Sequence, residues 1–475
     1  RRYRMARLTP VSSIMGDYYL DKKGNKFYYV SVGNDGKANL MCRDLKKGDI
    51  SVFAPGVSGG LLPDDKGENL FVLSNNGMSK ISLADGKIDN IEFDAPYNRH
   101  PSLEREYIYN HMLNQVKNKF YDENLHGLDW DSIGAHYSKF LPYINNNRDF
   151  AILMSEVLGE LNASHTGAST SSGWSSMPTA TLGAYFNEAY TGPGLEVSEI
   201  LRRGPLDKKK INIKPGDIIT SIDGETIQPG KDYFPMLEGK AGKKVTLEVK
   251  RSGSDKEEKV IVRPGSSDSH LLYDRWVENN EHIVDSLSNG RIGYIHIQGM
   301  NTSSYLTAYD RLLGKYRNCD AVVVDTRYNG GGWLHNDIAL LLGGKEYVRY
   351  MPRGRYIGSD PFSQWTKPSV MLVNESNYSD AHGTPYTYQA LGIGDVVGAP
   401  IPGTMTAVWW ETQIDPSLVF GIPQVTSKDM NGNVLENQQL TPDVIIYNQP
   451  EEILNGKDAQ LEGAVTHLLK KLSSK

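Results

Sequence analysis

The pattern of apolar and polar residues changes along the chain. Up to about residue 92, short apolar runs alternate with Gly, Asn and Asp, which predicts β-strands joined by tight turns. Residues 24–30 are echoed by residues 67–73, and residues 44–48 by residues 83–87. A period of about 40 residues is typical of propeller blades, and a closed propeller needs at least about four of them. The segment therefore predicts about two blades of a partial β-propeller; the alternative is a two-sheet β cap unrelated to propellers.

Between about residues 100 and 165 the apolar period becomes that of an amphipathic helix. One stripe runs from Ile108 to Phe120, and a second predicts a helix that ends near Asn162. The stripes consist of Ile108, Met112, Val116 and Phe120, and of Phe150, Leu153, Val157 and Leu161. The next stretch, residues 168–177, is rich in Ser, Thr and Gly and predicts a flexible linker.

Residues 178–265 predict a compact β-rich module. At its centre Pro215-Gly216-Asp217 forms a turn, an apolar strand follows, and Asp223-Gly224 closes a hairpin. Residues 245–249 alternate as a further strand. The run from residue 214 to 225 resembles a PDZ domain, a module that binds extended peptides by adding a strand to an open sheet edge.

From about residue 266 onward, strands and helices alternate. The predicted strands are residues 292–297, 321–324 and 369–373, and the predicted helices are residues 302–313, 335–342 and 380–391. This order is typical of βαβ units, whose functional residues gather at the carboxyl ends of the strands.

Composition narrows the functional classes. The chain has 475 residues, 39% of them hydrophobic, a net charge of −6 and two cysteines. These values predict about three domains and argue against a largely disordered chain, a nucleic-acid-binding face, a disulfide scaffold and a Cys-rich zinc module. No apolar stretch approaches the roughly 20 residues of a membrane span. The chain opens Arg1-Arg2-Tyr3-Arg4 without an apolar segment, so we expect either a removed signal peptide or a fragment.

Ser379 lies at a predicted strand-to-helix turn. A serine there is either a helix N-cap or a nucleophile, because the amides of the following helix point toward a developing oxyanion. The Asp380 amide would be one oxyanion donor, and residues 329–332, Asn-Gly-Gly-Gly, would supply another. That loop lacks the lysine of a phosphate-binding loop.

A serine nucleophile needs a base. His382 follows Ser379 by three residues, but its position one turn along the helix predicts a surface residue. His165 lies beside Ser164 in a Gly-flanked turn and is the better candidate. Taken as a lone histidine, without a motif around it, it is more often a structural residue.

The helical segment that ends in Ser164-His165, the PDZ-like module and the mixed α/β segment follow one another as in the catalytic half of a tricorn-type protease, which the chain resembles, within the tail-specific serine peptidases. The α/β segment carries four short motifs in the order of that family, at residues 327–332, 379–380, 436–443 and 456–461. The resemblance covers essentially the whole chain and implies a multidomain α+β/β protein. Its parts would be a partial β-propeller, a helical N-terminal catalytic subdomain, a PDZ domain and a crotonase-like mixed α/β catalytic subdomain, at residues 1–92, 93–177, 178–265 and 266–475.

Carried onto this sequence, the resemblance implies a catalytic tetrad. Ser379 would be the nucleophile and His165 the general base, while Ser164 would orient His165 and Glu436 would hold Ser164.

The resemblance also implies an oxyanion hole made by Gly332 and the Asp380 amide, with Gly331 and Tyr350 in substrate binding. Archaeal tricorn proteases carry an acidic residue where this chain has Tyr350, and with it a preference for basic side chains at P1, the residue before the cleaved bond. An aromatic side chain cannot neutralise a buried cation, so we expect a neutral or apolar P1 preference. Substrate contacts of the family do not transfer to residues 400–410, which depart from its pattern.

C-terminal processing peptidases, which have a similar architecture, use a Ser–Lys dyad with the lysine about 25 residues after the serine. Here the corresponding turn is Pro402-Gly403-Thr404-Met405, and the first lysine after Ser379 is Lys428. The Ser–Lys mechanism is therefore disfavoured.

The resulting expectation is an endopeptidase that hydrolyses short, unfolded peptides through an acyl-enzyme, without a metal or cofactor. The resemblance further implies a homo-oligomer, hexameric as in the family, and a cytoplasmic location, or a periplasmic one if a signal peptide was removed. The competing interpretation is a non-catalytic peptide-binding scaffold that joins propeller and PDZ parts to an inactive peptidase fold.

Overall fold

The computed structural model describes residues 8–9, 14–33, 36–74, 77–93, 98–171, 178–254 and 256–474. The chain divides into two compact units, residues 1–99 and 100–475. The first residues, on which the expectation of a removed signal peptide or a fragment rests, lie outside the described ranges.

The first unit contains two four-stranded antiparallel sheets, each with its strands in sequence order, which is the topology of a propeller blade. The first sheet consists of β1 (Ile14–Leu20), β2 (Lys26–Val32), β3 (Ala38–Asp44) and β4 (Ile50–Pro55). The second consists of β5 (Gly60–Pro63), β6 (Asn69–Ser74), β7 (Gly77–Ser82) and β8 (Ile88–Ile91). Leu40, Leu70 and Ile81 are fully buried in the core that the two sheets share.

The second unit begins with helices. They are α1 (Pro101–Lys119), α2 (Trp130–Ser138) and α3 (Asn147–Gly159), followed by strand β9 (Gly167–Thr170). The predicted stripes point inward, because Met112 and Val116 of α1 pack with Phe150 of α3.

The predicted linker is wrong for residues 168–170, which are in β9. That strand pairs with a strand late in the chain, so tertiary pairing overrides the weak local preference of a Ser/Thr-rich sequence. Residues 172–177 of the linker lie outside the described ranges.

The β-rich module is a six-stranded antiparallel sheet. Its strands are β10 (Ala184–Phe186), β11 (Leu195–Ile200), β12 (Ile218–Ile222), β13 (Glu225–Thr226), β14 (Val245–Lys250) and β15 (Glu257–Val262). The order is β10-β11-β12-β14-β15, and β13 pairs with β12 around the predicted Asp223-Gly224 turn.

The remaining chain forms a five-stranded, fully parallel sheet. Its strands are β16 (Ile292–His296), β17 (Ala321–Asp325), β20 (Ser369–Val373), β21 (Asp395–Gly398) and β24 (Val444–Ile445), in that order. The other strands are β18 (Val348–Tyr350), β19 (Gly358–Asp360), β22 (Thr406–Thr412) and β23 (Leu418–Thr426). The helices are α4 (Ser269–Ser288), α5 (Thr302–Asp310), α6 (His335–Leu342), α7 (Asp380–Ala390), α8 (Pro450–Leu454) and α9 (Ala459–Ser473).

Helices cover both faces of the parallel sheet. One face packs against α5, α6 and α7, and the other against α4 and α9. The central strands β17 and β20 are therefore buried on both sides, which explains why they read as continuous apolar runs rather than alternating ones. The turns that follow β17 and β20 lie side by side at the carboxyl edge of the sheet.

Strands β22 and β23 lie outside the parallel sheet and form a separate sheet with β9 of the helical segment. β23 pairs with β9, and its residues Leu418, Phe420 and Ile422 complete the core of α1 and α3. Residues 164–165 are thereby brought next to the parallel sheet from a position far earlier in the chain. None of the described helices is long and apolar enough to cross a membrane.

Candidate active site

Ser379 lies in the turn between β20 and α7. Its backbone has φ 57° and ψ −126°, a conformation that non-glycine residues rarely adopt and that is enriched at functional sites. It occupies the N-cap position of α7, but its side chain makes no capping hydrogen bond. The turn is held instead by its backbone N–H, which donates to Thr404 Oγ1 at 2.9 Å. The Ser379 hydroxyl is therefore not used as a helix cap.

The glycine loop after β17 lies directly against this turn. A Cβ on Gly331, whose φ is 98°, would lie 2.6 Å from Ser379 Cβ. A Cβ on Gly332, whose φ is 140°, would lie 2.1 Å from the carbonyl oxygen of Met300. Both positions thus require glycine, for conformation and for space.

Two backbone amides in this region are available to a ligand. The Asp380 N–H is the first of α7 and has no partner within that helix. Within the described ranges, the Gly332 N–H also lacks a hydrogen-bond partner, because Gly331 and Trp333 make the bonds to Met300. Both residues line the same pocket as Ser379.

The Asp380 side chain ties the glycine loop to the turn that carries Ser379. Its carboxylate accepts hydrogen bonds from the N–H groups of Leu334 and His335, at 2.5 and 3.0 Å, where α6 begins. Its other oxygen is 2.6 Å from His335 Nδ1, and this hydrogen bond raises the pKa of His335. Neither Leu334 nor His335 was expected here from the sequence.

His165 reaches the pocket from the end of the helical segment. Its backbone φ is 64°, and its Nδ1 lies 2.8 Å from Ser164 Oγ. Ser164 Oγ in turn donates to Glu436 Oε2 at 3.1 Å, and the Ser164 N–H donates to Glu436 Oε1 at 2.5 Å. Glu436 is 3% exposed and also accepts from the Met405 N–H at 2.6 Å. The structure thus brings together three of the four predicted tetrad residues in one hydrogen-bonded chain.

Two residues that sequence reasoning missed hold the imidazole. Thr406 Oγ1 lies 3.0 Å from His165 Nδ1 and donates to the Ser164 carbonyl at 3.2 Å. The Tyr378 hydroxyl accepts from the His165 N–H at 2.8 Å, and its ring packs against the imidazole with centroids 4.7 Å apart. No short motif signals these contacts, because the partners are more than 200 residues apart.

The bond directions set the form of the ring. The carboxylate of Glu436 can only accept, so the Ser164 hydroxyl donates to it and accepts from His165 Nδ1–H. His165 Nε2 then carries the lone pair. Burial lowers the pKa of His165, which keeps the ring neutral at neutral pH. A neutral imidazole with a free Nε2 is the form that a general base requires.

His382 is not the surface residue that its position predicted. It is 1% exposed, and its Nδ1 accepts from the Thr404 N–H at 3.2 Å. Burial lowers the pKa of His382 to about 4. The prediction is wrong because this side of α7 packs beneath residues 402–404 rather than facing solvent, and His382 thereby supports the threonine that holds Ser379.

Ser379, His165, Gly332 and Asp380 line one pocket of about 470 Å³, whereas Ser164 and Glu436 lie behind it. Residues 404–408, where family contacts were not expected to transfer, form part of its wall. Tyr350 is not among the lining residues. It lies on the β18–β19 hairpin, 39% exposed, where its hydroxyl donates to Asp360 and its ring stacks on Phe362. Gly331 does not line the pocket but lies under Ser379.

Three family profiles match the chain. The tricorn protease C1 domain matches residues 101–159, the tricorn protease PDZ domain matches residues 191–267, and peptidase family S41 matches residues 291–446. The PDZ prediction is thereby confirmed.

Curated relatives point the same way. Tricorn protease homolog 1 of Streptomyces coelicolor is 27% identical over 374 residues, which are 77% of this chain and 35% of the relative. Tricorn protease of Thermoplasma acidophilum is 26% identical over 386 residues, 78% of this chain and 35% of the relative. A putative tricorn-like protease C-terminal subunit of Sulfurisphaera tokodaii is 26% identical over 73% of this chain. The chain spans about a third of the length of the first two relatives.

Among solved structures, the crystal structure of the tricorn protease matches 96% of this chain with a TM-score of 0.79. The two are 21% identical, and the match covers 47% of the tricorn chain. This similarity shows the fold, from the blade-like sheets to the parallel sheet.

Proposed function

We propose that the chain is a serine endopeptidase acting on short, unfolded peptides, since its segments match the tricorn protease C1 and PDZ domains and peptidase family S41. One observation carries the proposal. A serine hydroxyl that is not used as a helix cap shares a pocket with a neutral histidine, whose Nδ1 is bonded to Ser164, and Ser164 is held in turn by Glu436. A merely structural serine at a helix start would use its oxygen as a cap.

In the proposed acylation step, Ser379 Oγ attacks the scissile carbonyl carbon while His165 Nε2 takes the hydroxyl proton. The imidazolium formed is stabilised by Ser164 and Thr406 at Nδ1, with the charge of Glu436 behind Ser164. The carbonyl oxygen becomes an oxyanion that accepts from the amides of Gly332 and Asp380. The C–N bond then breaks, and His165 returns the proton to the leaving amine.

In deacylation, water replaces the amine. His165 removes a proton from the water, the hydroxide attacks the ester carbon, and Ser379 Oγ leaves with the proton. Each step uses the same base and the same two amides, so no further group is needed. The Asp380 carboxylate fixes the spacing of the two amides, because it is bonded to the loop that carries Gly332.

Other parts of the proposal rest on the resemblance. The PDZ domain would help to position the peptide chain, and the propeller would guide substrate. A neutral or apolar P1 preference, a homo-oligomer, a cytoplasmic location and the four domain boundaries remain predictions.

Labelling with a fluorophosphonate, followed by intact-mass and peptide-map analysis of the full chain, tests the proposal. We expect one adduct on Ser379 in the wild type and in Ser376→Ala, a matched control three residues away with an exposed side chain. We expect no adduct in Ser379→Ala and strongly reduced labelling in His165→Ala. A wild type that is folded, unlabelled and inactive on peptides would instead support the non-catalytic scaffold.

A further inference from the structure

The pocket in front of Ser379 has an apolar wall and one lysine side chain. The wall consists of Met405, Ala407, Val408, Val425 and Leu435. Lys428 is the single Lys or Arg among the described residues that line the pocket. In the sequence, Lys428 lies too far from Ser379 to match the spacing of a Ser–Lys dyad.

The charge of Lys428 is not neutralised by another side chain. Across the described ranges, no carboxylate lies within ion-pair distance of its ammonium group. The adjacent Asp429 directs its carboxylate into its own turn, where it accepts from the N–H groups of Asn431 and Asn433 and from the Asn433 side chain. Its acceptor oxygens are thus occupied within the turn.

The other ionisable groups of the pocket add little free charge. The Asp380 carboxylate is covered by three donors, from Leu334 and His335. His165 is neutral because burial lowers its pKa. Glu436 lies behind the wall, bonded to Ser164 and Met405. Lys428 therefore gives the open pocket a positive potential.

The backbone holds Lys428 in place. Ser427 donates its N–H to the Met405 carbonyl, Leu435 donates to the Ser427 carbonyl, and Lys428 pairs with Val434 across the turn. The same short hairpin continues directly into Glu436. Lys428, which lines the pocket, and Glu436, which is bonded to Ser164, are thus carried by one hydrogen-bonded hairpin.

We infer that this pocket selects peptides with an acidic side chain next to the scissile bond, the carboxylate pairing with Lys428 and the methylenes contacting the apolar wall. Lysine and arginine side chains are repelled. This inference rests on the proposed peptidase function. For an acidic residue at P1 it replaces the neutral or apolar preference expected from Tyr350, since Tyr350 does not line the pocket.

The test uses amide-capped peptides that are identical except for Glu, Gln, Leu or Lys at the residue on either side of the cleaved bond. We expect the wild type to have a kcat/KM about fivefold higher for Glu than for Gln at one of these positions, the upper range for a partly exposed ion pair. The ratio should fall toward one in Lys428→Met and with added salt, and Lys428→Glu should favour the Lys peptide. Lys244→Met, which removes an exposed lysine of the PDZ domain, should keep the wild-type ratio.

The outcomes separate the two hypotheses. If Ser379 is labelled and the Leu peptide is cleaved, but the Glu-to-Gln ratio is the same in the wild type and Lys428→Met, the acidic preference is wrong and the peptidase stands. If the capped peptides show no preference, but the same peptides with a free C-terminal carboxylate are cleaved faster by the wild type than by Lys428→Met, the pocket recognises a terminal carboxylate, which also overturns the inference. If no peptide is cleaved and Ser379 is not labelled, both fail.

Discussion

Two buried polar networks in the second unit differ in one respect. In the first, Arg327, 1% exposed, binds Asp325 through Nη2 at 2.8 Å and Asp458 through Nη1 at 2.8 and 2.9 Å. The Tyr294 hydroxyl donates to Asp325, and the guanidinium also donates to Gln460 Oε1. Every charge in this network meets another protein group.

The second network runs from Glu436 through Ser164 to His165, and only its Glu436 end has all of its hydrogen-bonding groups paired. We call it the open network and the Arg327 network the closed network. Glu436 accepts three hydrogen bonds, whereas the pocket end of the chain stops at His165 and the uncapped Ser379 hydroxyl. A saturated network can only hold elements together, because it has no capacity left for a substrate. An unsaturated one costs stability but retains donors and acceptors for a reaction. The structural network and the proposed catalytic network therefore differ in whether all of their hydrogen-bonding groups have protein partners, although both contain buried carboxylates.

The largest expected effect is on the open network. Ser379→Ala should lower peptide hydrolysis by at least about 10⁴-fold, because it removes the hydroxyl that attacks the scissile carbonyl. Its free energy of unfolding should change by less than about 0.5 kcal/mol, because the hydroxyl makes no capping bond. Peptide hydrolysis and urea unfolding are compared with Ser376→Ala. Full activity in Ser379→Ala would remove Ser379 from the mechanism.

In the closed network, a substitution should instead lower the stability of the fold strongly. Arg327→Met leaves Asp325 and Asp458 without their cation, which should lower the free energy of unfolding by about 3–5 kcal/mol. Urea unfolding measures it, with Arg291→Met as control because the Arg291–Asp320 pair is exposed. A loss as small as that of the control would show that burial of the ion pair does not matter here.

His382 couples the open network to pH. Its folded-state pKa of about 4 lies below the ordinary value near 6.5, so below pH 6.5 the unfolded chain takes up a proton that the folded chain does not. Its contribution is present above pH 6.5 and is lost as pH falls toward 4, by at most about 3 kcal/mol. Urea unfolding at a series of pH values should therefore show a flatter acid limb in His382→Gln. Parallel curves for wild type and variant would contradict this assignment.

The smallest effect is expected at Glu436. This residue is the far end of the relay, the hydrogen-bonded chain from His165 through Ser164 to Glu436. Glu436→Gln keeps an acceptor for Ser164 but loses the charge that stabilises the imidazolium, so kcat should fall by about 10- to 100-fold with little change in KM. The acid limb of kcat/KM should lie below pH 6.5 in the wild type, since burial lowers the pKa of His165, and should move lower still in the variant. An unchanged kcat would detach Glu436 from the relay.

The pattern of apolar residues predicted the elements well where it matches their burial, on one face of α1 and on both faces of β17 and β20. The stripe of α1 and the apolar runs of β17 and β20 are found where the sequence placed them. It could not predict that residues 167–170 form a strand, because their partners are residues 418–421. A strand defined by a distant partner leaves no local period.

The same limit applies to the site. Ser379, His165 and the glycine loop were found through short motifs that a chain can carry locally. Thr404, Thr406 and Tyr378 were missed because each acts through a contact with a distant or differently oriented element. Conversely, Arg327 and Asp458 belong to motifs that carried the resemblance, yet the structure gives them a bond to each other and no place in the pocket.

The relay joins residues that lie 272 positions apart, with Ser164 and His165 early in the second unit and Glu436 near its end. On a ribosome, the base would emerge first, the nucleophile later, and the relay acid last. A growing chain would therefore carry Ser379 for some time without the complete group that activates it. Under the proposed function, the timing of synthesis itself would delay proteolysis until nearly the whole catalytic unit has been made.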